Sequence, residues 1–306
     1  MLFAGEHGMH RRNFLRGSAG AIAGLTVAGT VGGQDDGGVV RIGSDIPYKP
    51  FEYRTQGGDL TGFDVDMAEA IFQGELDRQY EFVQTGFDTI IPSLNNGNFR
   101  IIMSAMTINE ERDQKVDFSD PYFIAYQTVA ILQGSNIESL QDLKGKTVAV
   151  QKGTTGEAAA QELKQQFDGN LTIDSYDQIP GAFSALINGQ AVAVINDNAV
   201  NLQYTEDRDN IVMLEGEGEA AREFENAPPY LTLTVERYGI AFREDDDEFR
   251  QQVNEALAAV IESGRYAEIY TEYFPGDPPQ SIVQRGQGTT TAGNAAAETT
   301  TTTTGG

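Results

Sequence analysis

Ser93-Leu-Asn-Asn-Gly-Asn-Phe-Arg-Ile-Ile-Met-Ser104 and Ala185-Leu-Ile-Asn-Gly-Gln-Ala-Val-Ala-Val-Ile-Asn196 share one pattern: the end of an apolar-faced helix, an Asn-Gly stop, then a strand apolar enough to be buried. Gly97 and Gly189 are each expected in the left-handed conformation that ends a helix, which glycine adopts without a Cβ clash. The echo fits two related lobes. It also fits plain repetition, since helix, glycine and strand follow one another in any α/β protein.

On both sides the chain keeps alternating. Residues 39–43, 82–83 and 100–104 read as strands, with helices at 63–76 and 87–96; Val65, Ala68, Phe72 and Leu76 share one face of the first. Strands at 147–151, 171–175 and 192–196, with helices at 157–167 and near 181–188, repeat the theme. Such alternation argues for an α/β fold of parallel sheets covered by helices. Two apolar and aromatic strands, 123–133 and 236–243, fit crossings between lobes. They imply a discontinuous first lobe (39–124 and 236–278) around a contiguous second lobe (125–235). A final helix carries Phe249, Val253, Leu257 and Val260, then Tyr266, Ile269, Tyr270 and Phe274, as a core stripe.

The first strand of the echo runs into Ser104-Ala-Met-Thr-Ile-Asn-Glu-Glu-Arg112. Thr107 and Asn109 are cap-type residues and Glu110-Glu111 suit the positive end of a helix, so Arg112 falls in a first turn. A guanidinium fork beside unpaired backbone N–H groups can seat a small carboxylate. The alternative is an arginine paired with Glu111 or Asp113 on its own helix.

Composition narrows the chemistry. The chain has 306 residues, 40% hydrophobic, enough for two medium domains, and a formal charge of −25. From residue 35 onward, 18 basic residues face 45 acidic ones, and six lysines accompany fifteen arginines in the whole chain. Nucleic acid is not expected as a partner, because phosphate binding needs clustered Lys and Arg. The surplus resembles salt-adapted proteins such as those of haloarchaea, where concentrated salt screens self-repulsion. There is no cysteine, and His7 and His10 lie before any mature start, which removes Ser-His-Asp and Cys-His catalysis, Cys/His metal sites and disulfides. No cofactor, no metal and no catalytic residue is expected. Carboxylate acid–base chemistry stays open, with Asp45 and Glu52 as its candidates.

The ends differ from the middle. Arg11-Arg-Asn-Phe-Leu-Arg16 before a weakly hydrophobic, glycine-rich run looks like a twin-arginine export signal over residues 1–34, cleaved between Ala28 and Asp35. Thr30 stands where a lipobox needs cysteine, so a lipid anchor is not expected. Residues 279–306, rich in Gly and Thr, read as a low-complexity tail unable to bury a core. The glycines of Gly216-Glu-Gly-Glu-Ala-Ala221 fail as a phosphate loop because glutamates would repel the ligand.

Several separated motifs carry a resemblance over about residues 39–275. Thr107 to Tyr122 resembles the TxxERxxxxDFSxPY signature of the polar-amino-acid family of solute-binding proteins that feed ABC transporters. Asp45-Ile-Pro-Tyr48-Lys-Pro-Phe-Glu-Tyr53 and Gly62-Phe-Asp-Val-Asp66 resemble its first loop and helix entry. The resemblance implies a type II periplasmic-binding-protein fold: two α/β lobes, a two-strand hinge and a ligand cleft between them. It implies that Arg112 holds the ligand α-carboxylate and Asp197 the ammonium, with Ala105 and Thr107 lending backbone and hydroxyl groups. The Gln151-Lys-Gly-Thr-Thr-Gly156 turn resembles the family's second-lobe carboxylate loop, in which Thr155 would give a backbone N–H and Gln151 would flank the ligand. Asp45, Tyr48 and Phe87 would meet its side chain, a basic or amide one by their charge and ring faces. Residue types alone leave an Asx-turn at Asp45, core packing at Phe87 and an N-cap at Asp197 open. Arg100 and Val192 depart from the family's recurrent Asp at the strand entrances. The expected protein is an exported, monomeric receptor that passes a free polar amino acid to a membrane permease. The alternative is an enzyme of the cyclohexadienyl or arogenate dehydratase kind on the same scaffold.

Overall fold

The computed structural model describes residues 38–224 and 227–288. The chain opens with β1 (Val40–Ser44), the short hairpin β2 (Tyr53–Arg54) and β3 (Leu60–Thr61), and α1 (Phe63–Ala68), which runs on as a π-helical segment, Glu69–Glu75. The buried face of that segment passes through Phe63, Met67, Ala68, Ile71 and Phe72; of the expected face Ala68 and Phe72 are fully buried, Leu76 packs on the same core and Val65 is only half-buried. β4 (Tyr80–Gln84), α2 (Phe87–Asn95) and β5 (Ile101–Ile102) follow, then the single turn α3 (Glu110–Asp113) and β6 (Asp117–Phe118).

β7 (Phe123–Leu132) carries the chain into a second sheet with β8 (Thr147–Gln151), α4 (Thr155–Gln166), β9 (Thr172–Tyr176), α5 (Ile179–Ile187), β10 (Ala193–Asp197) and α6 (Asn198–Asp207). β11 (Ile211–Met213), α7 (Glu219–Glu223) and β12 (Thr232–Tyr238) lead back to β13 (Ala241–Phe242) in the first sheet. The strand orders are β4-β1-β5-β13-β6 and β11-β7-β10-β8-β9, with β12 added on β7. The fold is α/β, with β1, β4 and β5 parallel in one lobe and β8, β9 and β10 parallel in the other. β7 and β12 lie antiparallel, Phe123 opposite Tyr238 and Ala125 opposite Glu236.

The echo is structural. Gly97 and Gly189 have φ of 76° and 71°. Their N–H groups donate to Leu94 and Leu186, and the next residues, Asn98 and Gln190, donate to Ser93 and Ala185, so both helix ends close with one bonding pattern. At the departing strand entrance Arg100 makes a two-pronged bond to Asp246 (2.9 and 3.0 Å) and stacks 3.6 Å from the Phe249 ring centroid, which gives that departure a packing role.

The C-terminal stripe is core but is divided into α8 (Asp247–Glu262) and α9 (Arg265–Tyr273) by Gly264 at φ 84°, where one continuous helix was expected. α10 (Gln280–Gly288) lies inside the segment expected as tail, because Ile282 is 2% exposed and Val283 packs on the same core. Two apolar side chains suffice to dock that turn, against the low-complexity reading from 279. The expected export signal, and the threonine run from 299, lie outside the described residues.

Candidate functional site

The C-terminal ends of parallel strands in both sheets supply the side chains of one cavity. β1 leads into Asp45, β5 into Ser104–Thr107, β8 ends at Gln151 and β10 at Asp197. All nine residues expected at the site, Asp45, Tyr48, Phe87, Ala105, Thr107, Arg112, Gln151, Thr155 and Asp197, line one small cavity, joined by Ser104 and Thr154.

Arg112 is buried at 7% exposure. Asn109, the N-cap of α3, takes the backbone N–H of Arg112 (2.9 Å), so that donor of the first turn is already engaged. The guanidinium donates to Thr107 O (2.8 Å) and, from the other lobe, Gly153 O (3.3 Å), and lies 5.1 Å from the Phe87 ring centroid. Glu111 bonds Lys115 at 2.8 Å on the surface, so the same-helix ion pair does not engage Arg112. Burial lowers the Arg112 pKa, opposed first by Glu236 and then by Asp197.

Asp197 occupies the N-cap position of α6 without making a cap bond. Its Oδ2 accepts from Tyr48 OH (2.7 Å) and Tyr238 OH (2.5 Å), and Oδ1 accepts from Gln127. Burial and then the neighbouring Glu236 charge push its pKa up to about 7, against those hydrogen bonds and Arg112. Asp45 sits at the opposite end. Its N–H donates to Ser104 Oγ (2.9 Å), its Oδ2 accepts from Gln151 across the cleft, and its Oδ1 is buried without a partner among the described residues. Burial raises its pKa to about 6.

The walls are set by the backbone. Ala105 has φ of 45°, a strained value for a residue with a Cβ, and its N–H is held by Asp64 Oδ2 at 2.9 Å. Thr154 caps α4 through Glu157 N (3.2 Å), which leaves the Thr155 hydroxyl free to reach Glu236 (2.9 Å). Phe87 is half-buried and serves two roles, packing on Ile90's cluster and facing Arg112. Glu52, a candidate acid for catalysis, is turned away: it is fully buried, accepts from Ser104 Oγ (2.7 Å) and does not line the cavity.

Gln127, Glu236 and Tyr238 were not anticipated. They interrupt two strands that read as apolar crossings, and a polar side chain inside such a strand was the available signal. The assembled cavity has a guanidinium at one end, a carboxylate bonded by two tyrosines beside it, and a carboxylate–amide pair at the other end. These charges complement a zwitterion with a polar side chain.

Comparison with known proteins agrees with this chemistry. Residues 40–276 match the model of bacterial extracellular solute-binding proteins, family 3. A probable histidine-binding protein of Neisseria gonorrhoeae is 34% identical over 246 residues, 80% of this chain and 86% of that one. The ABC transporter glutamine-binding protein GlnH of Bacillus subtilis is 31% identical over 226 residues, covering 73% and 76%. The arginine-, lysine-, histidine-binding protein ArtJ of Geobacillus stearothermophilus superposes with a TM-score of 0.70 at 34% identity, over 80% of this chain and 99% of that chain.

Proposed function

The chain belongs to family 3 of the bacterial extracellular solute-binding proteins, and from that premise we propose that it is the receptor of an ABC importer for a polar, basic or amide, L-amino acid. The observation that carries this reading is the convergence of Arg112 from one lobe and Asp197 from the other on one cavity. Arg112 takes the carboxylate, Asp197 the ammonium, and Asp45 with Gln151 the end of the side chain. Tyr48 and Phe87 cover the ligand, and Ala105, Thr107 and Thr155 complete the polar wall. Lobe closure desolvates these contacts together and strengthens each. The ligand then passes unchanged to the permease. Purified protein mixed with labelled Arg, Lys, His and Gln tests the reading: stoichiometric binding without turnover supports it, and product formation overturns it.

The same proposal covers the parts outside the described residues. Residues 1–34 act as a twin-arginine signal, and the threonine-rich end is a spacer on an exported, monomeric protein. The acidic surplus adapts the chain to concentrated salt. Cooperative melting in molar salt that disappears on dilution supports the last point; salt-independent melting removes it.

A further inference from the structure

Glu236, 5% exposed on β12, stands outside the nine residues assigned above. Its Oε2 accepts from Thr107 Oγ1 at 2.5 Å and Thr155 Oγ1 at 2.9 Å, with Gln127 Nε2 at 3.4 Å, and its Oε1 accepts from Thr234 Oγ1 at 3.0 Å. Thr107 follows β5 in the first lobe and Thr155 opens α4 in the second. One oxygen on a linking strand therefore gathers a hydroxyl from each lobe.

A hydroxyl has a single proton. Once it is donated to a carboxylate, only lone pairs remain for other contacts, and at Thr155 Gln127 Nε2 already donates to one of them at 3.0 Å, which leaves one. Thr107 and Thr155 both line the cavity, so the groups they offer there are acceptors. Acceptors suit an ammonium and repel a carboxylate. We propose that Glu236 is a positioning residue that commits the Thr107 and Thr155 hydroxyls as acceptors for the ligand's ammonium group. It thereby sets the discrimination between an amino acid and the same molecule without its amino group. The inference rests on the amino-acid-binding reading above.

Electrostatics give it an independent readout. The groups around Glu236 are Arg112 from α3, Asp197 from β10 and Tyr238 from its own strand. After burial, the Glu236 charge is the largest influence raising Asp197. Removing that charge moves the acid limit of amino-acid binding to lower pH, which a merely structural role does not do.

The test uses the full chain in calorimetric titrations at fixed salt. Wild type, Glu236→Gln and Thr155→Val are compared on L-arginine, L-histidine and L-glutamine and on their des-amino analogues guanidinovalerate, imidazolepropionate and glutaramate. Both variants are expected to lose about tenfold or more in affinity for the amino acid, and less than about threefold for its analogue. The acid limit is expected to shift in Glu236→Gln. Equal losses on the two ligands, or unchanged affinity, overturn the assignment. Where an analogue binds too weakly to titrate, an unmoved acid limit overturns it. Thr155→Val removes one donor without altering the linking strand, so a poorly folded Glu236 variant leaves the question answerable. If wild type binds none of the three amino acids, the receptor reading itself has failed; if wild type binds and the variants match it, only the role of Glu236 has.

Discussion

Asp197 and Asp64 are both enclosed carboxylates, and burial pushes each up to about 7. Asp64 lies behind the wall, where its oxygens accept from Ala105 N (2.9 Å) and Tyr122 OH (3.0 Å). Asp197 carries a comparable set of donors but opens on the cavity, facing Arg112 and Glu236. The same chemical group in the same kind of burial thus does two jobs. Asp64 holds a left-handed alanine in place, and Asp197 keeps a charge in reserve for a cation. Access to the cavity separates them, and burial or hydrogen-bond count does not.

One substitution made twice breaks the comparison if it is wrong. Asp197→Asn keeps shape and removes charge, and calorimetry is expected to show at least about a hundredfold loss of amino-acid affinity. Arg112→Ala is expected to match that loss from the carboxylate end. Asp64→Asn retains an oxygen for the Ala105 N–H, and its Kd is expected to stay within about threefold of wild type. A large binding loss in Asp64→Asn would place that residue in the recognition machinery.

The next effect is a pair of opposite pH trends. Both carboxyls hold a proton up to about 7 in the folded chain, against an ordinary 3.8. Between those values the folded state binds more protons than the unfolded one, so stability falls as pH rises through the window and is greatest at its acid end. Melting of the ligand-free protein is expected to rise on acidification from pH 8 to about 5, by about 2–4 °C for each kcal/mol gained. Ammonium binding needs ionised Asp197, so affinity is expected to fall over the same change. Parallel trends in melting and affinity would contradict the division of labour between the two carboxylates.

The contrast also explains what could be read in advance. Asp45 and Asp197 stand at strand ends and Arg112 in the first turn of a short helix, where local pattern and motif point at a ligand. Glu236 and Gln127 were hidden because their meaning depends on register. Only the pairing of β12 with β7, Thr234 opposite Gln127 and Glu236 opposite Ala125, turns them toward Thr107 and Thr155. Asp64 belonged to a recognised helix entry, yet its bond to Ala105 is a long-range contact that no local pattern encodes. The two Asn-Gly stops were legible because a helix end needs only its own neighbours. Gly264, at φ 84°, separates α8 from α9, and the apolar stripe changes phase across it between Val260 and Tyr266, which is the signal against one continuous helix.

Smaller effects sharpen the boundary between the cavity and its rim. Gly153 has φ of 76°, and a Cβ there would lie 2.9 Å from Asp88 Cα on the facing lobe. Gly153→Ala therefore meets both backbone strain and a lobe-to-lobe clash. About a tenfold loss of affinity is expected, as a faster dissociation rate in stopped flow, with the pH profile unchanged because Asp197 is untouched. A shift of the profile would mean that the rim and the carboxylate are coupled.

The weakest link is Lys152–Asp88, an ion pair of 2.7 Å that joins the lobes beside Gly153 without lining the cavity. Lys152 is half exposed, at 52%, and an accessible pair gains little over its separate hydration. Lys152→Ala is thus expected to weaken amino-acid binding by no more than about fivefold in dilute buffer. The difference should vanish in molar salt, where the Debye length shrinks to about 3 Å. The Asp197-dependent part of binding has a different salt response, since its partners are enclosed and screened far less. If Lys152→Ala kept its full effect in molar salt, the pair would be acting through packing of the Gly153 turn against α2, and the rim would have to be counted with the buried site.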